Sequence, residues 1–299
     1  VAFADPSHAT TTVSFTQAGA YTFLLSANDG VHTVAYDALI VHVTGHATMG
    51  NISTRVDVRS GQGVSIGGFI IAGTAAKNVI VRAMGPSLAD AGVQGSLADP
   101  TLELRDSSGN LLQANDNWKE TQEQAIRDTM LAPINDLESA IVASLQPGAY
   151  TAIVSGKNNT NGIGLVEIYD LQRAPSSKLA NISTRGSVGT GENVMIGGLI
   201  LLGPDPARIL FRAIGPSLVG AGIQSALADP QLNLFDAQGT TIATNNNWKD
   251  SQQAAIEATG AAPTDDAESA ILADLNPGNY TAVVSGGTGT ALIEAYYLQ

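Results

Sequence analysis

The chain of 299 residues contains no cysteine. That excludes disulfide scaffolds, thiolate metal sites and cysteine nucleophiles, while leaving the compartment open, since exported proteins also do without cysteine. Charge is scarce as well, at 14% of residues against a usual fraction of about 25%. The net charge is −13, opposite to the clustered Lys and Arg that neutralise a phosphate backbone. That balance argues against nucleic acids and against anionic membrane surfaces as partners. No stretch approaches the roughly 20 consecutive apolar residues of a membrane-spanning helix. Histidine is confined to His8, His32, His42 and His46, so no Ser-His-Asp triad can form in the rest of the chain. Ser87, in Gly85-Pro86-Ser87-Leu88, lies outside a Gly-x-Ser-x-Gly elbow.

What is present suits β-structure. Hydrophobic residues make up 44% of a chain long enough for two or three domains, and 32 glycines with many Thr, Ser and Asn supply turns and strand surfaces. The acidic balance gives solubility, or alternatively a calcium site. The opening at Val1, without Met or a leader, reads as a processed or excerpted piece of a longer protein.

The chain repeats itself. Asn51-Ile52-Ser53-Thr54-Arg55 returns as Asn181-Ile182-Ser183-Thr184-Arg185, and the same offset carries Gly67-Gly68 to Gly197-Gly198 and Gly85-Pro86-Ser87-Leu88 to Gly215-Pro216-Ser217-Leu218. It also carries Asp99-Pro100 to Asp229-Pro230, Trp118-Lys119 to Trp248-Lys249, and Pro147-Gly148 to Pro277-Gly278. About half of the positions from 51 to 156 are identical in 181 to 286, and a three-residue deletion then brings Glu167 over Glu294. This is a duplication of one module. The expected layout is a first copy at 47–172, a linker at 173–180 containing Arg173-Ala174-Pro175-Ser176-Ser177-Lys178, and a second copy at 181–299, as beads in series that touch.

Within a copy the strand signals are dense. They run through Val64–Ile71, Val79–Arg82, Leu102–Arg105, Tyr150–Val154 and Leu165–Tyr169, with Asp106-Ser107-Ser108-Gly109 as a hairpin turn. Helical spacing predicts one helix, Thr121 to Leu131, matched by Ser251 to Ala261. The predicted fold class is all-β: tandem β-sandwiches of jelly-roll type with one short helix each. Residues 1–46 differ, with about three strands around Val13–Phe15, Ala20–Leu25 and Val34–Val43.

Three resemblances follow from these strings. The series Asn-Ile-Ser-Thr-Arg, Ile-Gly-Gly, Arg-Ala-x-Gly-Pro-Ser-Leu, Ala-Asp-Pro and Asn-x-Asn-Trp resembles a tandem module of secreted bacterial surface proteins, which implies export and no enzymatic activity. Asp99 to Val154 and Asp229 to Val284 are similar to bacterial pre-peptidase C-terminal domains, accessory β-sandwiches of which some bind calcium. Residues 1–46, with Asp5-Pro6, Gly19-Ala20-Tyr21 and Asn28-Asp29-Gly30, resemble the last three strands of an immunoglobulin-like domain of the polycystic-kidney-disease type. Such a half sandwich exposes apolar surface and open edges, which upstream chain or a neighbouring subunit is expected to complete.

Candidate sites are few. Hard cations take six to eight oxygens, and Asp99, Asn115, Asp116, Asn117, Asp136 and Glu138 offer them in the first copy. Asp229, Asn245, Asn246, Asn247, Asp266 and Glu268 repeat the set in the second. Calcium is thus the one candidate cofactor. The alternative is that these residues shape turns and cap the following helix. Arg82 and Glu167 interrupt apolar strands and recur as Arg212 and Glu294, which suggests a structural ion pair; the alternative is that each points outward. Trp118 and Trp248 are candidates for stacking on a sugar or for anchoring a loop. The leading expectation is a non-enzymatic extracellular or cell-surface protein of bacterial type, a stalk, fibre or filament subunit that self-associates, by strand donation or through neighbouring domains. The alternatives are an adhesion module binding polysaccharide or calcium, and a non-catalytic tail of a secreted hydrolase.

Overall fold

The computed structural model describes residues 1–8, 10–15, 19–43, 47–172 and 176–298. His46, the first three residues of the expected linker and Gln299 lie outside the described residues.

The N-terminal region forms two small antiparallel pairs: β1 (Ala2–Phe3) with β2 (Val13–Ser14), and β3 (Gly19–Ala27) with β4 (Ala35–Val43). Phe3, Phe15, Tyr21 and Phe23 cluster on one side of the hairpin, with Phe23 edge to face against Phe3 and Phe15. None of the described residues in 1–43 is buried. Alternation explains why: Leu25 and Leu39 fall on one face and Leu24, Ile40 and Tyr36 on the other, so both faces carry exposed apolar side chains.

Each repeat has eight strands. The first contains β5 (Thr48–Val58), β6 (Ser65–Gly73), β7 (Lys77–Met84), β8 (Pro100–Asp106), β9 (Leu111–Asn115), β10 (Ser139–Leu145), β11 (Gly148–Gly156) and β12 (Gly162–Asp170). The second contains β13 (Ser177–Val188), β14 (Met195–Leu202), β15 (Ala207–Ile214), β16 (Gln231–Phe235), β17 (Thr241–Asn245), β18 (Ser269–Leu275), β19 (Gly278–Ser285) and β20 (Gly289–Leu298). In the first repeat β5-β12-β7-β10 form one sheet and β6-β11-β8-β9 the other. The second repeats this order. That is the strand order of a jelly roll, as expected.

The helical signal condenses to α2 (Glu123–Asp128) and α3 (Gln253–Ala258), after α1 (Pro86–Asp90). α2 is entered through Gln122, a left-handed residue with φ 57°. Its side-chain amide donates to the Val142 carbonyl at 2.9 Å and accepts from the Val142 amide at 3.1 Å, extending the β10 ladder by one artificial rung. Gln252 does the same with Leu272.

The repeats are not beads in series. β5 pairs with β14 along its length, and β13 pairs with β6, so the first strand of each repeat lies beside the second strand of the other. Each sheet thereby runs on through both repeats, and β13 begins inside the span expected to be linker. The registers are equivalent: Thr54 faces Gly197 while Thr184 faces Gly67, and Ser53 faces Gly198 while Ser183 faces Gly68. A one-residue bulge interrupts both pairings at matching places. On the approximate two-fold axis the Thr54 hydroxyl donates to that of Thr184 at 2.8 Å.

The recurring glycine pairs explain the seam. A Cβ on Gly198 would fall 2.4 Å from Ser53 Oγ, and one on Gly68 would fall 3.2 Å from the Ser183 carbonyl oxygen. A single apolar core consequently passes from one repeat to the other, including Met49, Ile52 and Phe69 of the first and Leu179, Met195 and Phe211 of the second. Each such large side chain contributes about 1.5–3 kcal/mol by burial. Fusing the sandwiches also removes four strand edges that would otherwise be open.

Candidate functional site

The acidic residues do not assemble into one cage. Glu138 is fully buried beneath the start of α1, where its Oε1 accepts from the backbone N–H of Gly85 and of Ser87, each at 3.0 Å, and from the Ser87 hydroxyl. Glu268 takes the same place under Gly215 and Ser217. The reason is local: a Gly-Pro-Ser turn opening a helical segment leaves N–H groups inside the core, and a carboxylate satisfies them. Asp136 instead pairs with Lys119 at 2.5 Å, and Asp266 with Lys249 at 2.5 Å, both at the surface. Asp99 and Asp116 share Lys157, whose Nζ is 3.6 Å from one and 2.6 Å from the other. The hydrogen bond to Asp116 holds the Lys157 ammonium above the ordinary lysine range. Asp229 is exposed. Among the described residues no group of three or more acidic or histidine side chains is placed to hold a metal ion. Of the calcium candidates, Glu138 and Glu268 spend a carboxylate oxygen on core N–H groups, while Asp99 Oδ1, Asp116 Oδ1 and Asn117 Oδ1 are buried without a hydrogen-bond partner among the described residues.

Asn115 likewise works inside the fold. Its Oδ1 accepts from the Ala140 amide at 2.9 Å and its Nδ2 donates to the Asn117 carbonyl at 3.0 Å, and Asn245 repeats both bonds.

Trp118 and Trp248 are only 3% and 5% exposed, which rules out a stacking platform. Each indole packs among the helix and the outer strands, Trp118 with Ile80, Ile126 and Ala140, Trp248 with Leu210, Ile256 and Ala270. The ring N–H donates to the Asn135 and Asp265 carbonyls at 3.2 and 3.1 Å. These tryptophans fasten α2 and α3 to their sheets.

Arg82 and Glu167 stand opposite each other on β7 and β12 and form an ion pair, with Nε to Oε2 at 3.0 Å. Arg82 also donates to the Leu131 carbonyl at 2.7 Å and stacks over Tyr169, whose hydroxyl donates to Glu167 Oε1 at 3.0 Å. Arg212, Glu294, Tyr296 and the Ala261 carbonyl reproduce the group. Burial, and then the neighbouring glutamate charge, push both tyrosine hydroxyls up to about 12. The arrangement ties the end of the helical segment to the sheet, with every charge partnered.

One buried pair had no sequence signal. Lys77 Nζ lies 2.8 Å from Asp170 Oδ2 and donates to the Gln172 carbonyl at 2.6 Å, with both side chains almost wholly enclosed. The second repeat has Ala207 and Tyr297 at these places, so the offset that singled out Arg82 and Glu167 gave no hint of this pair.

An open cleft lies on the second repeat. It has a volume of about 500 Å³ and is lined by Gln231, Asn233, Thr244, Asn246, Asp250 and Ser251. The corresponding face of the first repeat carries the Glu103–Arg105 and Asp116–Lys157 ion pairs. Phe235 replaces Arg105 and the deletion removes Lys157, which leaves the second face without these long cations. The Asn246 Oδ1 there is buried without a hydrogen-bond partner.

No protein-family model matches the chain, and no curated protein matches it. Among solved structures, a DUF4785 family protein from Legionella pneumophila is similar at 11% identity and TM-score 0.27, covering 92% of this chain and 64% of that one. The M60 catalytic domain with two CBM51 domains of Clostridium perfringens ZmpB is similar at 6% identity and TM-score 0.21, covering 96% and 42%. The chain thus spans less than two thirds of either structure. At such scores the strand order itself, and not the likeness, defines the fold.

Proposed function

We propose that this chain is a non-catalytic structural segment of a bacterial extracellular or cell-surface protein, in which a stiff double jelly roll carries an assembly-competent hairpin. The observation that carries this reading is the hairpin. Leu24, Leu25, Leu39, Ile40 and Tyr36 are all more than half exposed on a two-stranded sheet whose outer edges have no strand partner among the described residues. Apolar faces and free edges of this kind bind another strand-bearing segment through main-chain hydrogen bonds and side-chain burial. The double jelly roll suits a spacer, because its repeated Arg–Glu pairs and buried glutamates serve the fold itself. Electron microscopy and light scattering of the unmodified chain test the reading. Concentration-dependent, elongated assemblies are expected, and the variant Leu24→Asp/Ile40→Asp should stay monomeric. An unmodified chain that remains a monomer at all concentrations overturns it.

The cleft of the second repeat favours one other reading, a binding role. Its neutral amides and hydroxyls match a polyhydroxylated ligand such as a polysaccharide segment. Calorimetry against a glycan panel, with Asn233→Ala/Asn246→Ala as the control, decides it; no heat from any glycan removes this reading.

A further inference from the structure

The seam between the repeats is isologous in its backbone but not in its side chains. At an approximate two-fold axis each residue meets its own counterpart. Three such meetings occur here. Thr54 meets Thr184, which is the same residue. Val56 meets Gly186, where a Cβ on the glycine would fall 2.4 Å from Val56 Cγ2 and 3.3 Å from Met195 Cε. Asp57 meets Ser187 as the single bridge between β5 and β13.

These pairs discriminate. Two first repeats set together across this seam would drive Val56 against Val56 and Asp57 against Asp57, a steric clash and a like-charge contact in a buried or half-buried place. Two second repeats would leave Gly186 against Gly186, an unfilled gap. Only the mixed pairing fills the space and separates the charges. Further from the axis the same logic holds: Gly50 lies under Leu202, where its Cβ would be 2.2 Å from Leu202 Cδ1. The symmetry mates of that pair are Ala180 and Ala72, so two second repeats would set Ala180 under Leu202.

From this geometry we infer that the seam is a partner-selective docking surface, and that the partner it fits is the opposite repeat, supplied in cis or by a second copy of this chain. Between chains, the first repeat of one copy docks on the second repeat of the other, with β5 beside β14 and β13 beside β6. Such exchange re-forms the strand pairings across the seam. The covalent link to be re-routed is short, from Asp170 to Ser177, and short hinges favour exchange. This deepens the structural reading and rests on it only for its biological use. Failure of exchange leaves the hairpin test to decide that reading by itself.

The absence of cysteine permits a clean experiment on the full chain. Thr54→Cys and Thr184→Cys are prepared as separate chains, unfolded, mixed, refolded under reducing conditions at high concentration and then oxidised. The mixture should accumulate disulfide-linked dimer, while either variant alone stays near background, because like repeats do not meet. The double variant in one chain should close its own disulfide as a monomer, which shows that the axis geometry permits the bond. Equal dimer from one variant alone, or no more dimer from the mixture than from either variant, overturns the inference. Light scattering of the unmodified chain refolded in the same way adds a readout free of substitution: a dimer that persists on dilution is expected, and monomer at every refolding concentration contradicts it.

Discussion

The two repeats share a fold and differ in where they keep their charge. Both bury a glutamate under the Gly-Pro-Ser turn, a tryptophan under the helix and an Arg–Glu–Tyr group between strands. Only the first adds the enclosed Lys77–Asp170 pair and the Lys157 clamp over Asp99 and Asp116. What duplication preserved is therefore the set of groups that satisfy backbone left unpaired by the jelly roll. What diverged is the seam-proximal and outer charge, which the fold does not need. If that division is right, substitutions at shared groups should cost the same in both repeats and substitutions at unshared ones should not.

The largest expected effect comes from Lys77→Ala, which strands Asp170 in an enclosed site and should cost about 3–5 kcal/mol in denaturant unfolding. Replacing both partners, Lys77→Met with Asp170→Leu, should restore most of that loss, whereas Ala207→Val, at the matching place in the second repeat, should not mimic it. Glu138→Ala and Glu268→Ala come next. Each leaves buried N–H groups unpaired and should cost about 2–3 kcal/mol, nearly equal for the two repeats. Gly186→Val should cost about 1–3 kcal/mol by overpacking the axis. Adding Val56→Gly should recover part of it, since the knob and the hole then trade places.

The smaller predictions concern pH and the surface. The hydroxyls of Tyr169 and Tyr296 are raised from an ordinary value of 10 to about 12. The folded state thus holds these protons more tightly than the unfolded chain. Their stabilising contribution is complete below pH 10 and is lost as pH rises from there towards 12. A stability profile over that window should flatten by similar amounts in Tyr169→Phe and in Tyr296→Phe, with both effects present in the double variant. Arg127→Ala removes the exposed pair with Glu123 and the stacking of its guanidinium over Trp118 and should cost about 1 kcal/mol.

Strand alternation and turn chemistry made the elements legible, and the repeat offset revealed the module, the helix and the paired Arg82 and Glu167. The seam was not legible. Alternation in β5 and β13 assigns side chains to faces, but says nothing about which distant strand lies beside an edge. Gly67-Gly68 and Gly197-Gly198 recurred in the sequence, and their cause, the close approach of Ser53 and Ser183, exists only in the fold. The role of Glu138 was hidden for a related reason. Glu138 was grouped with nearby Asp and Asn residues, although it directly precedes the apolar strand β10. The available signal was the Gly85-Pro86-Ser87 turn, whose free N–H groups require an acceptor from elsewhere in the chain. Trp118 carried a similar clue in the apolar Ile126 of the helix that follows.

The central claim is that the two jelly rolls are one body joined edge to edge, and hydrogen exchange at the seam tests it most directly. The amides of β6 and β14 that face β13 and β5 should exchange as slowly as those of the inner strands β11 and β19. Fast exchange of those edge amides, with slow exchange inside each repeat, would describe two separate sandwiches and contradict the account.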